Sequence, residues 1–132
     1  MAEKFKALQP TGIPAPVARY SHGISVAAGA RLVFTAGQLG IRPDGSVPSD
    51  ATGQARQCFA NILAILAADG MGPEHVVRIN AYVTDQAYLQ AYMTARDELY
   101  AGKLPPASTL VIVQGLARPE FLVEIEAVAA AF

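Results

Sequence analysis

Cysteine occurs once in the 132 residues, at Cys58, so neither an internal disulfide nor a multi-cysteine metal centre is available. Histidine occurs twice, at His22 and His75 in separate segments, and no metal site is expected. Charged residues make up only 16% of the chain, against about 25% in ordinary domains. The formal net charge is -1 and lysine and arginine form no run, so the electrostatic footprint of a nucleic-acid binder is missing. No apolar stretch approaches the ~20 residues of a membrane span. The leading Met1 to Lys6 segment has no apolar signal-type region. A reducing, cytoplasmic setting without a membrane partner is therefore the expectation.

What the chain does have is apolar bulk. Hydrophobic residues reach 52%, which excludes a disordered chain. The length suits one domain spanning residues 1–132, with no repeat, low-complexity tract or linker to divide it. So few charges leave a small monomer short of polar surface, and an apolar face buried between subunits is expected.

Periodicity supplies the elements. A strand is expected near Lys4 to Leu8. Ser21–Ala27 and Leu32–Ala36 read as two strands joined by a tight turn through Gly29. Pro48-Ser49-Asp50 offers capping side chains, and Ala55, Cys58, Phe59, Ile62, Leu63 and Leu66 then recur at helical spacing until Gly70 stops the helix. From His75 to Thr84 the chain alternates, with Val77, Ile79, Ala81 and Val83 on one face and Arg78, Asn80 and Tyr82 on the other. Asp85 caps a second helix bearing Tyr88, Leu89, Tyr92, Met93, Leu99 and Tyr100. Thr109–Val113 and Phe121–Val128 are the closing strands. This order, with hairpins at both ends, predicts an α+β layer: one mixed six-stranded sheet with two helices on one face. The other face, carrying Asn80 and Tyr82, is expected to serve self-association.

Several short motifs fall in a recognisable order. They are Ala18-Arg19-Tyr20-Ser21-His22, Val33-Phe34-Thr35-Ala36-Gly37-Gln38, and Gln54-Ala55-Arg56-Gln57 with Asn61-Ile62. Val76-Val77 to Tyr82-Val83 and Val123-Glu124-Ile125-Glu126-Ala127 complete the set. As an ordered set across about 120 residues, the chain resembles the RidA family, also called YjgF or L-PSP. The resemblance implies a chorismate-mutase-like fold and a homotrimer with three intersubunit clefts. It further implies hydrolysis of reactive imines and enamines to ketones and ammonia, with no metal or bound cofactor. Small-molecule metabolites are the partners so implied, while other members have been labelled ribonucleases or translation inhibitors.

That chemistry needs an anchor for a substrate carboxylate, ideally a bidentate Arg, and a carboxylate able to accept and return a proton while positioning water. Matched motif by motif, the resemblance implies Glu124 as the catalytic, water-orienting residue, Gly37 as part of a loop of backbone donors, and Tyr20 as a cleft-lining aromatic. The family's Pro-Ala-Arg-Ser segment stands here as Pro106-Ala107-Ser108-Thr109, so Ser108 occupies the place of the substrate-binding Arg. A hydroxyl does not replace a guanidinium fork. Either the substrate lacks a carboxylate or another cation serves it, Arg19 or Arg96 being the candidates. The expected function is thus binding of a small carbonyl- or imine-type metabolite with deaminase-type hydrolysis. The alternatives are a non-catalytic metabolite-binding trimer or an L-PSP-type endoribonuclease. Cys58 reads as a buried, inert thiol, and His22 as a hydrogen-bonded structural residue.

Overall fold

The computed structural model describes residues 4–132; Met1 to Glu3, part of the leading segment considered above, lie outside the described residues. Strands β1 (Phe5–Leu8) and β2 (Gly23–Val26) are followed by β3 (Arg31–Phe34) and the short β4 (Gln38–Leu39). Helix α1 (Ala51–Ala67), β5 (Val76–Val83), α2 (Leu89–Leu99), β6 (Ala107–Ile112) and β7 (Val123–Ala131) complete the chain. The layer is α+β, with both helices on one face of a mixed sheet. Among the described residues no helix is long and apolar enough to cross a membrane.

The strands are partitioned differently from the six-stranded sheet expected. Among the described residues there are seven, in a β1-β2 ribbon and a five-stranded sheet of order β3-β7-β5-β6, with β4 also on β7. The expected terminal hairpins do not form. β2 pairs with β1 and β3 with β7, while β5 lies between β6 and β7. The reason is burial: Ile79, Ala81 and Val83 of β5 are almost fully enclosed, which an interior position between two strands allows. A register shift between Val76 and Arg78 also changes the expected alternation. Val76, not Val77, enters the core, because a bulge adds one residue and moves the phase by one.

Helix α1 starts where Asp50 accepts a hydrogen bond from the Gly53 amide (3.0 Å), an N-cap. Ala55, Cys58, Phe59, Ile62 and Leu66 form its buried stripe. They pack on Val123, Ile125, Ala127 and Ala129 of β7, and Phe59 stacks on Tyr92 of α2 at 6.0 Å. Each fully buried large apolar side chain contributes about 1.5–3 kcal/mol. The opposite face is open. There Leu32 is 51% exposed and Phe34 69% exposed, beside the polar Asn80, Tyr82, Glu124 and Glu126.

Gln54 ties the layers together. Only 1% exposed, it donates to the Pro48 and Glu120 carbonyls (both 2.9 Å) and accepts from the Leu122 amide (2.8 Å). Replacing Gln54 by Leu would leave those three backbone groups unsatisfied, at about 1–3 kcal/mol each where water cannot reach. Urea unfolding is expected to show a loss of at least ~2 kcal/mol. A loss under ~0.5 kcal/mol would mean that these bonds do not hold the loop.

Candidate functional site

β7 is the strand on which the site is built. Its alternation sends Val123, Ile125 and Ala127 into the core and Glu124, Glu126 and Val128 to the open face. Glu124 stands opposite Tyr82 of β5 on one side and Leu39 of β4 on the other. The Tyr82 hydroxyl donates a short hydrogen bond to Glu126. That bond is the main cause of the raised Tyr82 pKa, followed by burial and by the charges of Glu126 and Glu124. Tyr82 is therefore held as a protonated donor.

The chain between β3 and β4 wraps against β7 through Thr35, a buried residue whose amide donates to the Ala127 carbonyl (3.0 Å). Its hydroxyl accepts from the Ala127 amide (3.0 Å). Two residues later, Gly37 meets Glu124. A methyl group on Gly37 would stand 2.8 Å from the Glu124 carboxyl carbon, so the carboxylate occupies the space that any other side chain would fill. Its φ is not positive; the requirement for glycine here is room, not backbone freedom. Two residues implied by the resemblance, Gly37 and Glu124, are thus brought into direct contact.

The other four candidates stand elsewhere. Ser108 lies beside Ile79 on the helix-covered side of β6, and its hydroxyl is 3.0 Å from the Tyr92 hydroxyl. It therefore faces the core, on the opposite side of the sheet from Glu124. Arg19 donates to the Tyr100 carbonyl at the end of α2 (2.9 Å). Tyr20 lines a cavity of about 320 Å³ with Ser21, His22, Leu104, Pro105 and the proline-rich 10–16 stretch. Arg96 is 3% exposed and packs over the Tyr92 ring, its Nε donating to Asp97 (3.1 Å) and its Nη2 left without a partner. One chain therefore carries two separate poles, Gly37 with Glu124 and the Tyr20 cavity.

The Cys58 thiol is pushed up to about 12, first by burial and then by the Glu124 charge. It is neither exposed nor ionised, so it is no nucleophile. Among the described residues, no three His, Cys, Asp or Glu side chains converge in a way that could hold a metal. His22 Nε2 lies 2.7 Å from the Pro14 carbonyl oxygen, which holds the ring on the cavity wall. Sequence reasoning missed Asn61 and Gln54 as builders of the site. Asn61 donates to the Leu39 and Ile41 carbonyls (3.2 and 3.1 Å) and so positions β4 beside Glu124.

The model of the Endoribonuclease L-PSP family matches residues 11–131. The chain belongs to that family, the RidA/YjgF group. Protein DfrA of Myxococcus xanthus is 32% identical over 94% of each chain. The 2-iminobutanoate/2-iminopropanoate deaminase of Escherichia coli K12 is 29% identical over 94% of this chain and 96% of its own. Among solved structures, the Rid-family protein YyfB of Yersinia pestis superposes with a TM-score of 0.87 at 31% identity, covering 98% of this chain and all of that one. The expected family and its two-helix, mixed-sheet fold are therefore established.

Two substitutions separate site from scaffold. Gly37→Ala pushes only on the far end of a flexible side chain, so the melting temperature should stay nearly unchanged while the Glu124 carboxylate is displaced and turnover falls. Unchanged turnover on a confirmed substrate would remove Gly37 from the site. Ser108→Ala should instead act on stability. It leaves the buried Tyr92 hydroxyl without its Ser108 partner, at a cost of about 1–3 kcal/mol, with KM unaffected. A raised KM with unchanged stability would return Ser108 to the binding surface.

Proposed function

We propose that this RidA/YjgF protein hydrolyses a small imine or enamine to the corresponding ketone and ammonia, in clefts between the subunits of a homotrimer. The juxtaposition of the Glu124 carboxylate with the bare Gly37 backbone carries this reading. Glu124 is half-buried, on a strand paired on both sides, and next to a loop residue, Gly37, that carries no side chain. The deaminase relative supports the reaction class, and the exposed Leu32 and Phe34 on the same face support assembly.

In the proposed reaction Glu124 accepts a proton from a bound water as its oxygen bonds to the imine carbon. It then returns that proton to nitrogen. Glu124 next takes the hydroxyl proton of the resulting carbinolamine as the C=O bond forms and passes it to nitrogen, so the C–N bond breaks and ammonia leaves with both protons of the water. No oxidant or reductant is required, since no electron changes hands. Tyr20, in its separate cavity, holds the substrate from a neighbouring subunit.

Glu124→Gln keeps shape and hydrogen bonding but removes the proton carrier. Hydrolysis of 2-iminobutanoate, generated in situ and followed by ammonia release, is expected to fall by about 10²-fold or more. Light scattering should give the mass of three chains for both wild type and variant. Equal turnover by the variant overturns the role of Glu124. A wild type without hydrolysis, yet binding the ketone product, would make the protein a non-catalytic metabolite binder, the reading that Ser108 in place of the family Arg favours.

A further inference from the structure

The guanidinium absent at position 108 has a counterpart one strand away. In the β5-β6 register Arg78 pairs with Ala107, the residue before Ser108. Its side chain lies on the open face, where its Nη2 donates to the Thr109 hydroxyl (3.1 Å). Among the described residues that hydroxyl is its only side-chain partner, and no carboxylate pairs with it. The acid next along this face, Glu126, stands opposite Asn80 and is already bonded by Tyr82. Arg78 is thus oriented by a neutral group while its charge stays uncompensated.

It also lines a cavity of about 360 Å³ with His22, Ile24, Val77, Ala107 and Val128. These walls are short and apolar apart from His22. His22 borders the Tyr20 cavity as well, so the two depressions share one lining residue. The bulge between Val76 and Arg78 helps form this site, since it sends Val77 to the cavity wall instead of the core.

We propose that Arg78 is the carboxylate anchor of this protein, binding the anionic end of a short-chain acid whose alkyl part rests on Ile24, Val77 and Val128. A guanidinium held by one bond has donors left for a planar carboxylate. The assignment rests on the hydrolytic reading above for its place in the reaction, but not for the binding itself. Within one chain Arg78 and Glu124 are separated by four residues of strand, roughly 13 Å, too far for one small molecule. The anchor of one subunit therefore serves the Glu124 of another.

Butanoate, which cannot be hydrolysed, isolates the binding step, with butanamide and inorganic phosphate as controls. Calorimetric titration should show butanoate binding at least tenfold tighter than either control. Arg78→Gln should weaken butanoate at least tenfold with no change in melting temperature, because the side chain is exposed. If that variant does not fold, Arg78→Lys is read instead, and weaker binding is again expected because a point charge replaces the fork. Equal binding of butanamide, a variant that binds butanoate as wild type does, or preference for phosphate overturns the proposal. Mixing unfolded Arg78→Gln and Glu124→Gln chains and refolding them together should restore about a quarter of the wild-type turnover, since a random half-and-half assembly leaves one cleft in four intact. No restoration overturns the sharing of the site between subunits. Butanoate binding lost in Arg78→Gln, together with no imine hydrolysis by wild type, would keep the anchor and remove the hydrolase. Imine hydrolysis with an unaltered KM in Arg78→Gln would do the reverse.

Discussion

The contact on which the rest depends is the close approach of Gly40 to Gln54. A methyl group on Gly40 would lie 2.8 Å from the Gln54 Cα, a backbone atom that cannot step aside. Gly40 follows β4, and Gln54 lies in the first turns of α1. The helix therefore rests directly on the strand end, and the Gln54 amide reaches past it to the Glu120 and Leu122 backbone. One buried side chain thus sets the distance between the β4 edge and the start of β7. Asn61, two turns further along α1, holds the same edge through Leu39 and Ile41. Gly37 and Glu124 face each other because both ends of this clamp are fixed.

The sheet divides the chemistry by face. Residues of β5 and β7 that point to the helices are apolar and packed, and those that point away carry Arg78, Asn80, Tyr82, Glu124 and Glu126. The Tyr82–Glu126 bond removes one acid from circulation, so Glu124 and Arg78 remain at opposite ends of the stripe. A carboxylate and a guanidinium that would neutralise each other in contact are kept apart by strand length. Separation of this kind suits a site completed by a second copy.

Membership of the RidA/YjgF family places this chain beside a 2-iminobutanoate/2-iminopropanoate deaminase, yet the residue at position 108 differs in kind from the expected Arg. The structure accounts for the serine as a packing residue. Its hydroxyl satisfies the buried Tyr92, whose pKa is raised chiefly by burial and partly held down by that bond. An Arg directed the same way would run into the Tyr92 hydroxyl. Arg96 itself is enclosed over the Tyr92 ring and does not meet solvent.

Much was legible from local pattern. The α1 stripe, its Asp50 cap and the positive-φ Gly70 follow from helical period and turn chemistry. The placement of Glu124 and Glu126 on one face follows from period two alone. The family motifs named Gly37 and Glu124, though not that they touch. What the sequence left open was pairing: β5 inserts between β6 and β7, the β5 bulge turns Val77 outward, and Ser108 and Arg19 are claimed by Tyr92 and Tyr100. Side-chain direction along a strand is a local property with a fixed period, so it can be read residue by residue. Which strand lies alongside, and hence which side chains meet across it, depends on how the whole chain buries its apolar faces at once. That is why tertiary structure alone set Arg78 beside Ala107, and Gly37 against Glu124.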